Sequence, residues 1–202
     1  MNDKIKNLPK EFQAFYIQEH TANRKLRYEY IEELINENKC AKVAELGCGE
    51  GFPTLYLLEN CPSIEEFIGV DPGRAHIPFY HKEFESYNKG RYIPLKAIDA
   101  AKQFEDNYFD LVWMDQLSMI FDFLKPEADR RISKDNLDRN LEVLINDIVV
   151  WLGKVKVGGI LCGRDYGTIQ FPNVTRAVDS VFEENKTLLP EYQGTFWFVT
   201  KK

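Results

Sequence analysis

One stretch constrains this chain more than any other: Val43-Ala44-Glu45-Leu46-Gly47-Cys48-Gly49-Glu50-Gly51-Phe52. An apolar run, Val43 to Leu46, leads into glycines at alternate positions and then into a second apolar segment, Thr54 to Leu58. The pattern predicts a buried strand, a tight turn and the start of a helix. Glycine admits φ > 0 and lets a ligand come close to the main chain. The helix N-terminus behind the turn offers N–H groups and a positive dipole end. At the carboxyl end of a parallel strand, such a turn is a nucleotide-type site. A plain glycine-rich strand-to-helix turn is the plainer reading of the same residues.

Spacing separates two cofactors. A dinucleotide fingerprint G-x-G-x-x-G would need its last glycine at position 52, which is Phe52. The observed spacing is Glu45-x-Gly47-x-Gly49-x-Gly51, with an acidic residue at the strand end. This resembles motif I of the class I methyltransferases, which bind S-adenosylmethionine. The resemblance implies that Gly47, Cys48, Gly49 and Gly51 pass beside the methionine part and ribose. It also implies that Glu45 helps hold the cofactor's amino group.

Length and composition suit a single globular domain, 1–202, with 44% apolar and 29% charged residues. A net charge of −6 disfavours nucleic acid as a partner, because proteins that grip phosphate backbones usually carry a basic face. Cys40, Cys48, Cys61 and Cys162 form no C-x-x-C pair and no zinc spacing, and read as small buried thiols. Residues 1–10 are polar, without a signal-peptide core, and no apolar run approaches the ~18 residues of a membrane span. These features predict a cytoplasmic protein with no membrane partner. They leave a homodimer open.

Residues 11–38 have helical periodicity, with a break expected at Thr21-Ala22-Asn23, so that 1–40 forms an N-terminal helical cover. The same region could be a substrate lid carrying Tyr16, His20 and Arg24. Phe67 to Val70 predicts a second strand ending at Asp71, about twenty residues past the glycine loop, where a carboxylate can accept ribose hydroxyls. A helix over 77–88 closes at Asn88-Lys89-Gly90. Tyr92 to Ile98 reads as a third strand ending at Asp99-Ala100, and Phe109 to Met114 as a fourth with Asp115 at its tip. The class I resemblance places the adenine amino group at Asp99, with Ala100 lining the ring. Residues 117–136 read as an insertion near the substrate pocket. A helix over 140–152, a strand from Ile160, a helix over 174–184 capped by Asn173, and two terminal strands complete an α/β fold. Its sheet is expected to be open, mostly parallel and seven-stranded, Rossmann-like, with helices on both faces and a C-terminal antiparallel hairpin.

The segment Lys156-Val-Gly-Gly-Ile-Leu-Cys-Gly-Arg-Asp-Tyr166, followed by Phe171-Pro-Asn-Val-Thr-Arg-Ala-Val-Asp179, resembles macrocin-type sugar and catechol-type small O-methyltransferases. Members of that group bind the accepting hydroxyl through a divalent metal, usually Mg²⁺. The resemblance implies Asp115 and Asp165 as catalytic residues and metal ligands, with Asp115 also bordering the cofactor. A metal there would lower the hydroxyl's pKa and orient it. Two histidines of the group are replaced. Strand four reads Met114-Asp115-Gln116-Leu117-Ser118, and Arg164 stands before Asp165. His20, His76 and His81 are the remaining candidate bases.

Three readings stay open: metal-assisted transfer, metal-free transfer with another base, or a protein that only binds the cofactor or a partner. The leading reading is methylation of a small-molecule or sugar hydroxyl. A protein or RNA acceptor is the next enzyme possibility. The absence of an Asn/Asp-Pro-Pro-Tyr/Phe run after strand four argues against base N-methylation.

Overall fold

The computed structural model describes residues 22–49, 51–72, 88–115, 134–168, 171–191 and 194–202. The elements are α1 (Ala22–Asn38), β1 (Lys42–Leu46), α2 (Phe52–Asn60), β2 (Glu66–Val70), β3 (Gly90–Ile93), α3 (Ala97–Ala100), β4 (Phe109–Met114), α4 (Lys134–Lys154), β5 (Val155–Tyr166), α5 (Pro172–Phe182), β6 (Thr187–Glu191) and β7 (Gly194–Thr200).

All seven strands share one sheet, in the order β3-β2-β1-β4-β5-β7-β6. Strands β1 to β5 pair in parallel, and β7 runs antiparallel to both β5 and β6. Strand order reverses between β1 and β4. That switch point is where open α/β sheets leave a crevice beyond the carboxyl ends of their strands.

Helices cover both faces. On one, Tyr28, Ile31 and Ile35 of α1 and Leu57 of α2 pack against Val43, Phe67, Leu111, Trp113 and Cys162. On the other, Leu144, Ile148 and Trp151 of α4 and Val174, Ala177, Val178 and Phe182 of α5 cover Ala44, Ile68, Val112, Leu161 and Trp197. Alternate residues of each central strand enter opposite cores, as strand geometry requires. Fully burying a Leu, Ile or Phe contributes about 1.5–3 kcal/mol, so the two layers account for most of the driving force.

One contact on this second face shapes the tip of β5. A Cβ on Gly163 would lie 2.7 Å from the Trp197 ring, so only glycine fits there. The next residue, Arg164, points to the opposite face.

Several boundaries differ from the sequence reading. The third strand ends at Ile93, because Pro94 lacks an N–H for the ladder, and Ala97–Ala100 is a short helix rather than a strand continuation. Helix α5 begins one residue before Asn173: Phe171 is its N-cap and Pro172 takes the first turn, where proline's fixed φ is already helical. Asn173 instead lies buried inside the helix and accepts a hydrogen bond from Arg176 at 3.1 Å. Strand β5 starts at Val155, five residues earlier than expected. Asn88 takes φ 54°, a left-handed conformation. All but the last residue of the expected helix over 77–88, most of the 117–136 insertion, the candidate lid residues Tyr16 and His20, and His76 and His81 lie outside the described residues.

Candidate active site

The glycine loop leaves β1 through Gly47 (φ 82°), Gly49 (φ 50°) and Gly51 (φ 78°), all in the left-handed region where a side chain is strained. Its donors are spoken for. Gly47 and Cys48 both donate to the Val70 carbonyl, at 2.7 and 3.2 Å, and Gly51 donates to Cys48 at 2.8 Å. Gly49 donates to Asp71 Oδ2 at 3.1 Å. What the loop offers a ligand is room: among the described residues, a Cβ on Gly49 or Gly51 would meet nothing within 4 Å.

Asp71 is the brace of this loop as well as the candidate ribose ligand. Its own carbonyl accepts the Tyr92 hydroxyl at 2.9 Å, so β3 holds the β2 tip from behind.

Glu45 is fully buried at the end of β1. Thr54 of α2 donates a short hydrogen bond to its Oε2, while Oε1 has no partner among the described residues. An orphaned buried carboxylate oxygen is costly unless a ligand completes it. Burial, with the charge of Asp115 next, pushes the Glu45 carboxyl up to about 8. Trp113, its register partner on β4, likewise has a buried indole N–H without a partner among the described residues.

Asp99 lies in the first turn of α3, where Trp151 of α4 fixes the helix by donating to the Ala97 carbonyl at 3.1 Å. Its carboxylate pairs with Lys102 at 2.7 Å, which holds it below the usual carboxylate range. Ala100 is buried beneath it.

The β4 and β5 tips form the other half of the site. Leu46, Met114 and Gly163 stand in register across β1, β4 and β5, and Asp115 N–H donates to the Leu46 carbonyl at 2.9 Å. One step beyond, the Arg164 guanidinium donates to Asp115 Oδ1 at 3.2 Å. Asp115 is 4% exposed and Arg164 9%, so this is a buried ion pair. Asp165 follows at φ 64°, a left-handed conformation strained for a non-glycine residue, and its carbonyl accepts the Thr168 hydroxyl at 3.0 Å.

The two candidate ligand sets fare differently. An ammonium-bearing cofactor fits the first half: Glu45 presents an unfilled acceptor, and the glycine loop leaves a cradle that side chains would fill. A divalent metal between Asp115 and Asp165 does not fit the second half. Asp115 already carries a guanidinium, and two unit charges about 4 Å apart interact by about 4 kcal/mol at an effective dielectric near 20, repulsively for two cations. Among the described residues, no group of three or more His, Cys, Asp or Glu is placed to hold a metal ion.

Thr54, Tyr92 and Trp151 were missed in the sequence because each acts through a neighbour across the fold. Arg164 was noticed only as a missing histidine.

Residues 43–137 match the family model described as a methyltransferase domain. No curated protein matches the chain. Among solved structures, the chain is similar to the O-methyltransferase from Bacillus cereus in complex with SAH, with 12% identity, a TM-score of 0.66 and coverage of 100% of this chain and 92% of that one. It is also similar to the N-methyltransferase NodS from Bradyrhizobium japonicum, with 11% identity, a TM-score of 0.60 and coverage of 89% and 96%. Similarity to the CurJ carbon methyltransferase reaches 15% identity and a TM-score of 0.62, over 93% of this chain and 57% of that one. At such identities the likeness is one of fold. The family model spans just under half of the chain, and the seven-stranded sheet has the fold of these methyltransferase neighbours. The three neighbours are named for oxygen, nitrogen and carbon acceptors, so the fold by itself does not choose the atom methylated.

Proposed function

We propose that this protein is an S-adenosylmethionine-dependent methyltransferase that acts on a hydroxyl group of a small molecule or sugar. The observation that carries the reading is the buried Asp115–Arg164 pair at the β4 and β5 tips, one strand from Glu45. A carboxylate and a guanidinium together accept from a hydroxyl and donate to its oxygen. Methyl transfer mainly requires positioning, so a fixed polar pair beside the cofactor suits it.

In this reading Glu45 Oε1 accepts from the cofactor's ammonium, Asp71 from its ribose, and Asp99 with Ala100 borders the adenine. S-adenosylmethionine, when bound, supplies an electrophilic methyl on a sulfonium. Glu45, Thr54 and Asp71 hold it toward the strand tips, and Asp115 with Arg164 orients the accepting oxygen.

Transfer of labelled methyl from S-adenosylmethionine to a panel of hydroxyl, amine and thiol metabolites, proteins and RNA tests the proposal. Label on hydroxyl acceptors is expected. Label confined to amines, protein or RNA would overturn it.

A further inference from the structure

We infer that Arg164 takes the place of a divalent metal in this chain, so that transfer is metal-independent and selects hydroxyls that are already acidic, phenolic or enolic, over sugar alcohols. The inference rests on the hydroxyl-acceptor reading above.

Two buried carboxylates, Glu45 and Asp115, stand one strand apart on the same face of the sheet. Such a pair calls for positive charge. In this chain a side chain supplies it, because the Arg164 guanidinium lies 3.2 Å from Asp115 Oδ1. The pair is held by the sheet itself. Met114 and Gly163 are in register, and Gly163 is clamped against Trp197, so the residues that follow them have little freedom to part.

A guanidinium stays protonated at any working pH and offers several N–H donors in a plane. It can stabilise an oxygen that bears negative charge, as hydrogen-bond donors do at developing oxyanions. It is not a Lewis acid, and does not generate an alkoxide as a bound metal would. No histidine stands at 116–118 or 164 to remove the proton instead. The acceptor must therefore be an oxygen that readily loses its proton to water; it then forms the O–CH3 bond as the CH3–S bond breaks, and the cofactor leaves as the neutral thioether. A phenol near pKa 10, the range of a tyrosine side chain, meets that demand.

Two measurements test this. In the first, Mn²⁺ is titrated into the full-length wild type and into Asp115→Asn, and free Mn²⁺ is followed by electron paramagnetic resonance. The two proteins are expected to leave the same free signal. Mn²⁺ taken up by the wild type and released in Asp115→Asn would overturn the inference.

In the second, turnover of matched phenolic and aliphatic acceptors is measured with EDTA and with Mg²⁺. Wild-type rates should be the same in both, with phenols ahead by at least tenfold. Arg164→Ser, checked for folding by thermal melting, should lose about 100-fold, the scale of one lost oxyanion donor, and regain part of it with millimolar Mg²⁺. Arg164→Lys should retain more activity than Arg164→Ser without metal. Wild-type turnover abolished by EDTA, or a preference for aliphatic alcohols, would sink the inference. If no hydroxyl is methylated at all, the hydroxyl-acceptor reading fails, and the Mn²⁺ titration still decides whether Arg164 has displaced a metal.

Discussion

The two halves of the crevice are built from different materials. At the β1 and β2 tips the chain bends its backbone: three left-handed glycines, a carbonyl that accepts two N–H groups, and a carboxylate that braces the turn. At the β4 and β5 tips the backbone stays in the ladder, and the work falls to a pair of charged side chains. Main-chain geometry suits a cofactor whose shape is fixed. Side chains are exchanged more freely, which suits an acceptor that differs from one enzyme to another on the same fold.

The division should survive mutation. The largest effect is expected for Gly49→Val, which puts a β-branched residue at φ 50° in the ligand cradle. S-adenosylmethionine affinity by calorimetry should fall at least 100-fold, and an unchanged affinity would place the cofactor elsewhere. Next comes Asp115→Asn, which removes the carboxylate to which the buried Arg164 guanidinium donates. Turnover should fall by about 100-fold, the scale of a lost charged stabiliser, with cofactor affinity within a few-fold of wild type. An equal loss of cofactor affinity would erase the distinction between the halves.

A proton links to the first half. Glu45 holds its proton up to about pH 8 without ligand, and an ammonium beside it favours the ionised form. Cofactor binding below pH 8 should therefore release a proton and weaken as pH falls, measurable by calorimetry at pH 7 in buffers of different ionisation enthalpy. Zero proton exchange would remove Glu45 from the ammonium site.

The smallest effect lies away from the crevice. Asp147, buried on α4, is pushed up to about 6 by burial. A carboxyl raised in the folded state favours folding while protonated, and that advantage fades as pH climbs through its folded value. Asp147→Asn should accordingly raise stability by about 1–3 kcal/mol at pH 8, from 1.36 kcal/mol per pKa unit, and change it little at pH 4. Equal effects at both values would assign the gain to packing.

The same contrast decides what could be read from the sequence. Glycines at fixed spacing announce a backbone conformation, and Asp71 and Asp115 end runs of apolar residues whose period marks them as strands. The sheet and the glycine turn were legible for that reason. Pro94 was noticed too, yet the chain past it was read as strand although Ala97–Ala100 turns helical. Asp110 shows what stays hidden: it accepts from the N–H groups of Ala41 and Lys42 and pairs with Lys156, across a separation no local pattern reports. Arg164 belongs to that second kind. A resemblance could say that histidine was absent there, and only tertiary structure could say that its replacement reaches Asp115.

The clamp between Gly163 and Trp197 makes the two sides of the sheet answerable to each other. Trp197 sits in the core under α5, and its ring packs against Gly163, the residue before Arg164. Drift in that hidden layer, a Trp197→Phe for instance, would loosen the strand tip and be felt as altered acceptor selectivity with no change to any residue in the crevice. A lineage of such enzymes could retune what it methylates from behind the sheet.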